Sequence, residues 1–442
     1  MNIIFITLSN INSIKERGIY ADLMRKFRDE GHQVHIISPI ERRFGKDTHV
    51  IDTDGVKILK VKTLNIQKTN VVEKGIGTLL IESQFKKAIK KHLGNVKFDL
   101  ILYSTPPITF TNVVRFLKKR NPQAISYLLL KDIFPQNAVD LGMLVASPKP
   151  SPQGKELKNA VMALPKYLLY KYFREKEVAL YKNSDYIGCM SPANVEFLLK
   201  HNTYYPASHV EVAPNSIEAP CPPKGENSVN ESEDDKVLRG KNERYYIRKK
   251  YNLPTDRPVF IYGGNLGKPQ GIDYMIKCLD ENKHRQDCYF VVVGNGTEYD
   301  KLKAWYRANT NYTDNTNGVC VKLMQRLPKE DYDMLVKYCD VGLIFLDHRF
   351  TIPNYPSRLL PYLENKMPIL CATDVNTDIG KIAEENGYGY WCESVKPEDF
   401  TALVDKMLAS DRKAMGEKGY QFLMGNYLVE NTYNAIIRHC KS

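Results

Sequence analysis

The pattern that most constrains this chain is a short apolar strand, a polar loop, an amphipathic helix, a glycine and a second strand, met near the start and again in the second half. Asn2 to Leu8 is the first apolar run. A polar loop ends at Gly18, and Ile19, Leu23, Met24 and Phe27 then recur at helical spacing until Gly31 stops them before VHIIS at 34–38. A right-handed crossover between parallel strands puts the loop after the first strand at the carboxyl end of the sheet, where such sheets bind ligands. Strands at 56–62, 99–103 and 125–130 follow, and YIGCMS at 186–191 leads into a helix over 192–201. The alternation restarts with VFIYGGN at 259–265, a helix over 272–279, YFVVVGNG at 289–296, a helix over 298–308, VCVKLM at 319–324 and a helix over 329–338. VGLIFL at 341–346, a helix after Pro356, PILCAT at 368–373 and a short helix over 378–386 complete it. Such alternation in both halves predicts an α/β chain of two doubly wound parallel sheets.

A chain of 442 residues exceeds the roughly 250 to 300 that one core organises, so two domains of about 200 residues are expected. Pro214 to Pro223 reads as a hinge, and KGENSVNESEDDK after it as a polar, acidic insertion without periodicity. The boundaries expected are a first domain over 1–212, hinge and insertion over 213–247, a second domain over 248–420 and a terminal helix over 421–442. Nine cysteines, scattered and never in a C-x-x-C spacing, indicate neither a disulfide framework nor a metal site and read as reducing cytoplasm. The first residues lack the basic flank and apolar length of a signal peptide, and no later run approaches 18 apolar residues, so any membrane association is expected to be peripheral. A net charge of +12 favours polyanions: nucleic acid, anionic lipid headgroups or phosphorylated substrates. With no zinc-finger spacing and no RNP-like run, nucleic acid is not the partner expected.

The strongest local signal is a pair of strands that end in glycines before a helix, GGNLGKPQG (Gly263 to Gly271) and VVVGNG (Val291 to Gly296). Glycine there lets backbone N–H groups approach a phosphate or a ring, and a helix N-terminus favours negative charge. Tight βα turns alone would also use glycine, but two such motifs one βα unit apart weaken that reading. In IPNYPSRLLPYLENKMPIL, Pro356 and Ser357 look like a helix start with Arg358 in its first turn. A cation opposes the helix dipole there, which suits an arginine that faces a bound diphosphate; a solvated arginine is the alternative.

Taken in order, GGNLGKPQG, VVVGNG, LPKEDYDMLVKYCDVGLIFL and PSRLLPYLENKMPIL resemble the donor half of family 4 glycosyltransferases of GT-B fold. GIYADLMRKFRDEGHQVHIIS resembles that family's opening helix and glycine-histidine turn, and PNSI at 214–217 its interdomain P-N-G-I. KDIFPQNAVDLGML (Lys131 to Leu144) looks like a segment of bacterial O-antigen and capsule enzymes, including N-acetyl-fucosamine transferases. The resemblance covers nearly the whole chain except about 220–245. It implies two facing Rossmann-like sheets with an interdomain cleft, the acceptor on the first domain, the donor on the second, and a terminal helix that crosses back to the first. The activity implied is transfer of a sugar, N-acetylated by this likeness, from a UDP-sugar with retention of configuration. No metal and no cofactor are implied beyond the nucleotide-sugar co-substrate. The acceptor implied is a saccharide on a lipid diphosphate, in surface polysaccharide synthesis at the inner face of the cell membrane.

Charge building on the leaving diphosphate is to be met by Arg358 and Lys268, helped by the backbone at Gly263, Gly264 and Gly267; preorganised donors of this kind are worth about 2.7 to 4 kcal/mol each. Gly294 and Gly296 are expected to line the nucleoside pocket, with backbone near Arg326 and Leu327 at the base, and Ser357 and Leu359 beside Arg358. The chain departs from the family in three places. Asn265 and Gln270 stand where relatives carry an arginine and a lysine. Pro353 and Pro361 stand where relatives carry paired glutamates, leaving Glu364 nearly one turn later as the carboxylate for ribose. Lys131 and Asp132 stand where relatives place a histidine and are, with Arg358, the candidate catalytic residues. Asp132 follows a strand at the mouth of the cleft and is a candidate to orient or deprotonate an acceptor hydroxyl, or else a turn aspartate. Arg17 and Gly18 are expected on the acceptor side with Lys15 and Glu16.

Three basic clusters lie outside these motifs: Lys86, Lys87, Lys90 and Lys91; Arg115, Lys118, Lys119 and Arg120; and Lys166, Lys171, Arg174 and Lys176. The last is interleaved with leucines, tyrosines and a phenylalanine, a mixture suited to an anionic membrane surface, though an ordinary amphipathic helix reads the same way. Two rivals share the fold: a non-hydrolysing UDP-sugar 2-epimerase, and a non-catalytic nucleotide-sugar-binding subunit suggested by the missing glutamate pair.

Overall fold

The computed structural model describes residues 1–66, 71–147, 157–220, 233–310 and 318–440. Two compact units divide them. The first holds Met1–Glu218, Thr351–Asn354 and Tyr427 onward, and the second Ala219–Phe350 with Tyr355–Asn426. Part of the expected insertion, 221–232, lies outside the described residues.

In chain order the first unit contains β1 (Asn2–Ile6), α1 (Ile19–Asp29), β2 (Gln33–Glu41), β3 (His49–Thr53), β4 (Val56–Thr63), α2 (Val71–His92), β5 (Leu100–Ser104) and α3 (Thr111–Arg120). It continues with β6 (Ile125–Leu130), α4 (Gln136–Asp140), α5 (Leu157–Lys182), β7 (Tyr186–Cys189), α6 (Pro192–His201) and β8 (Val210–Val212). The strands form one sheet in the order β3-β4-β2-β1-β5-β6-β7-β8. All neighbours are parallel except β3, which pairs antiparallel with β4 and corrects the expectation of a wholly parallel sheet. The cause is local: Asp54 and Gly55 both take positive φ, the two-residue turn whose twist matches a hairpin.

The helix face read from Leu23, Met24 and Phe27 is buried, in one core with Ile3, Phe5, Val34, Ile36, Leu100 and Leu102 of the sheet. Buried beside them are Ile436 and Ile437 of the final helix, so the last residues of the chain complete the first unit's core.

The second unit contains α7 (Glu233–Lys250), β9 (Val259–Asn265), α8 (Ile272–Asn282), β10 (Tyr289–Asn295), α9 (Tyr299–Asn309), β11 (Val321–Met324), α10 (Lys329–Lys337) and β12 (Val341–Phe345). After these come α11 (Leu359–Glu364), β13 (Ile369–Thr373), α12 (Ile379–Glu385), β14 (Gly389–Glu393), α13 (Pro397–Ala409) and α14 (Arg412–Asn426). The helix α15 (Val429–Ile437) belongs to the first unit. The sheet order is β11-β10-β9-β12-β13-β14, all parallel. The winding reverses between β9 and β12, the position at which open α/β sheets bind ligands.

Two expectations are corrected. The end of the acidic stretch, 233–236, is helical. The helix α7 is anchored by charge near its end: the buried Arg248 donates to the Tyr338 and Pro254 carbonyls and pairs with Asp340, which Arg244 also reaches at 2.7 Å. The terminal helix expected over 421–442 is not continuous: α14 ends at Asn426 and α15 starts at Val429. Ile217 forms a parallel bridge with Leu428, its N–H bonding to the Tyr427 carbonyl and its carbonyl accepting from Val429 N–H, and this pairing interrupts the helical ladder.

Candidate functional site

In the second unit, β9 and β10 run side by side in a register that sets Gly264 opposite Gly294 and Asn265 opposite Asn295 at their carboxyl ends. The loop after β9 folds back over β10: Leu266 N–H bonds to the Asn295 carbonyl at 3.0 Å, and the Leu266 carbonyl accepts from Glu298 N–H at 2.9 Å. A Cβ on Gly294 would come within 3.0 Å of the Gly264 carbonyl, and one on Gly296 within 3.0 Å of the Leu266 backbone. Both glycines are therefore dictated by the closeness of two loops, whatever they line. Asn265 and Gln270 bond to each other: the Gln270 Oε1 accepts from Asn265 Nδ2 at 3.1 Å and from Gly267 N–H at 3.2 Å. These two departures from the family pattern lock the turn that carries the loop, and Gln270 is buried in doing so. Lys268 begins that turn and is exposed.

Arg358 stands at the N-cap of α11 rather than inside its first turn. Its guanidinium lies 4.3 Å over the ring of Tyr262, and the open side of Gly264, whose φ of 136° suits glycine alone, faces its Nη2. Nη1 is shut off from solvent without a hydrogen-bond partner, and no ion pair joins Arg358 to a carboxylate among the described residues. Two further tyrosines complete the enclosure. Tyr362, one turn along α11, hydrogen-bonds Gly263 N–H through its hydroxyl, and Tyr332 of α10 fills the space where a Gly263 side chain would sit. Burial pushes the Tyr332 hydroxyl up to about 12, so these rings remain neutral and offer no counter-charge. Arginine stays protonated at any working pH, and one of its nitrogens buried without a partner is costly.

The other expected donor residues are spread. Ser357 is exposed and Leu359 is buried beside Arg358. Arg326 and Leu327 follow β11, two strands from β9. Glu364 is the last residue of α11, about 9 Å along the axis from Arg358, so the structure does not bring it to the guanidinium. The tyrosine enclosure was missed, although Arg358 and Tyr362 at i, i+4 and a tyrosine directly before the glycines of β9 were signals for it.

In the first unit Lys131 and Asp132 follow β6. Thr105, at the end of β5, accepts from both their N–H groups through Oγ1, at 2.9 and 3.2 Å. The two side chains then part. Lys131 Nζ donates to the Ala213 carbonyl at 2.8 Å, and burial lowers its amine to about 7. Asp132 accepts from Asn137 Nδ2 at 2.7 Å, and burial raises its carboxyl to about 6 against that bond. A carboxylate tuned to that range suits acceptance of a proton near neutral pH, whereas Lys131 braces the chain at Ala213.

Arg17 and Gly18 lie in the loop after β1, separated from β6 by β5. Arg17 donates to the Glu218 carbonyl, and Gly18 N–H bonds to the buried Asp22, which also holds Arg25. A residue that sequence reading missed holds this loop from below. Lys60 is wholly buried, its Nζ donating to Asn10 Oδ1 at 2.6 Å, the Ile11 carbonyl at 3.0 Å and Ser38 Oγ at 3.1 Å, and burial lowers its amine to about 8.

Residues 243–422 match the family model "Glycosyl transferases group 1". That stretch is similar to group 1 glycosyltransferases, and the fold of the chain is that of GT-B glycosyltransferases. Among curated proteins the chain is similar to the probable glycosyltransferase WbjE of Pseudomonas aeruginosa, 23% identical over 303 residues, 68% of this chain and 64% of that protein. It is also similar to the putative colanic acid biosynthesis glycosyl transferase WcaI of Escherichia coli K12, 24% identical over 36% of each. The matched stretch thus spans less than two thirds of either relative. Among solved structures, Anabaena Alr3699/HepE in complex with UDP-glucose superposes with a TM-score of 0.63 at 11% identity, covering 100% of this chain and 99% of that one.

Proposed function

We propose that this chain is a retaining glycosyltransferase that moves a sugar, N-acetylated in our reading, from a UDP-linked donor to a saccharide on a lipid diphosphate, in assembly of a surface polysaccharide. The observation that carries the proposal is Arg358, a half-buried cation with one nitrogen buried and unpartnered, beside the glycine loop at the reversal point of the second sheet. In this reading the diphosphate meets Arg358 and the loop's N–H groups, which stabilise the charge that develops as the bond from the anomeric carbon to the phosphate oxygen breaks, without a metal ion. The acceptor hydroxyl forms the new bond to the same carbon, and its proton passes to a carboxylate or to the departing phosphate. HepE was solved with UDP-glucose, and WcaI is named for colanic acid biosynthesis, which supports the donor class and the pathway class. We take the enzyme to work on the cytoplasmic face of the membrane, held peripherally; among the described residues no helix is long and apolar enough to cross it.

The test is release of nucleotide by the purified chain across UDP- and GDP-sugars with a lipid-linked acceptor, with the anomeric configuration of the product read by NMR. Turnover confined to a UDP-sugar, with retention, is expected. Binding of UDP without turnover across an acceptor panel would make the protein a binding subunit instead.

A further inference from the structure

We infer that the outer faces of α2 and α5 form the surface by which the first unit docks on an anionic lipid bilayer. This deepens the peripheral membrane association proposed above and rests on it. On α2, Ile76, Leu79 and Leu80 are 41–57% exposed, and Ser83, Lys87 and Lys90 continue the same stripe outward at helical spacing. The inner face of that helix, Ile81, Phe85 and Ile89, is fully buried. On α5, Leu164, Leu168 and Leu169 are 45–57% exposed, and Lys171 is exposed beyond them.

The two apolar stripes sit at the same end of the unit. Both helices run back from the carboxyl to the amino end of the sheet, because each leads from one parallel strand to the next. They are level where Lys176 reaches Glu82 at 3.5 Å, over the first turn of α3: Asn112 N–H bonds to Glu82, and Thr111 to the Lys176 carbonyl. Counted from that level at 1.5 Å per residue, Leu80 and Ile76 stand about 3 and 9 Å ahead, and Leu169 and Leu164 about 10 and 18 Å ahead. The ten-residue α3 starts only at that level, so it cannot cover the leading halves of its neighbours. All six apolar side chains therefore project past α3 toward the carboxyl end of the sheet, the end that carries Asp132, while Lys87 and Lys90 trail behind.

Six exposed aliphatic side chains flanked by lysines, with Glu175 the exposed acidic residue on the α5 stripe, match a surface that is apolar within and negative at its face. A bilayer with anionic headgroups has that chemistry, and a lipid-borne acceptor resting in it would be presented at the same edge as Asp132.

The experiment is sedimentation of the full chain with vesicles of phosphatidylcholine alone or with phosphatidylglycerol, alongside transfer to a short-chain water-soluble acceptor. The wild type is expected to bind the anionic vesicles, less so as salt rises. Replacing Leu164, Leu168 and Leu169 together by serine is expected to weaken binding at least tenfold with Tm and soluble transfer unchanged, and K166E with K171E to weaken it on anionic vesicles. Equal binding by the leucine variant overturns the surface and leaves the enzymatic reading intact. Failure of the wild type to bind any vesicle overturns membrane docking itself. A wild type that is dimeric where the leucine variant is monomeric, without vesicle binding, assigns the face to a second copy and likewise overturns the proposal. Absence of soluble transfer in the wild type counts separately, against the glycosyltransferase reading.

Discussion

Arg358 holds its charge over the Tyr262 ring with one nitrogen buried and unpaired, a cost that folding alone does not repay. Replacing it by alanine removes that cost together with the anion's partner. Arg358→Ala is expected to leave Tm unchanged or higher and to cut turnover by roughly 10² or more, read as nucleotide release at saturating acceptor; an undiminished rate would remove Arg358 from the site. Asp132 carries a similar tension. Its carboxyl is raised to about 6 from the ordinary 3.8, so the folded state favours the protonated form, and stability falls as pH rises between about 4 and 6. Asp132→Asn is therefore expected to stabilise the protein at pH 7 by about 1–2 kcal/mol, after discounting for partial exposure, seen as a rise in Tm, while transfer declines. For the wild type, activity is expected to drop on the acid side with a midpoint near pH 6; a flat profile from pH 5 to 8 would argue against a proton-accepting role for Asp132.

At the level of elements, the glycine loops separate packing from ligand binding. Gly294→Ala would drive a Cβ into the Gly264 backbone, which cannot step aside, so a loss of several degrees in Tm or failure to fold is expected. Gly18 has nothing within 4 Å of its would-be Cβ and an extended φ of 169°, so Gly18→Ala is expected to fold as the wild type does, by circular dichroism and thermal melting. Similar stability of the two variants would contradict the loop packing. The helix α5 illustrates a mixed surface: Arg174 pairs with the buried Glu177 and Lys176 with Glu82, so half of its basic cluster is structural. The exposed leucines are what distinguish it from an ordinary lysine-faced helix.

For the whole molecule, the chain's end completes its beginning. Tyr433, Ile436 and Ile437 of α15 pack into the core of the first unit against Phe27 and Met24, and Arg438 pairs with Glu211. Each buried side chain is worth about 1.5–3 kcal/mol, so removal of residues 427–442 is expected to exceed a typical domain's margin and leave the first unit insoluble or molten. A truncated chain with an unchanged melting transition would show that α15 is dispensable.

Sequence alone determined the alternation of strands and helices, the two-sheet architecture and the place of the glycine loops, because those follow from local spacing of apolar residues and from turn chemistry. The β3–β4 hairpin was missed, although Asp54–Gly55 between two strands was a signal for it. What only tertiary structure decided are features made by residues far apart in the chain. Tyr262, Tyr332 and Tyr362 converge on Arg358 from three elements. Lys60 braces Asn10 and Ile11 across the sheet, Thr105 positions Lys131 and Asp132, and Ile217 breaks the terminal helix at Leu428. Local pattern fixes which way a side chain leaves its own element, whereas its charge state and partners depend on what the fold packs against it.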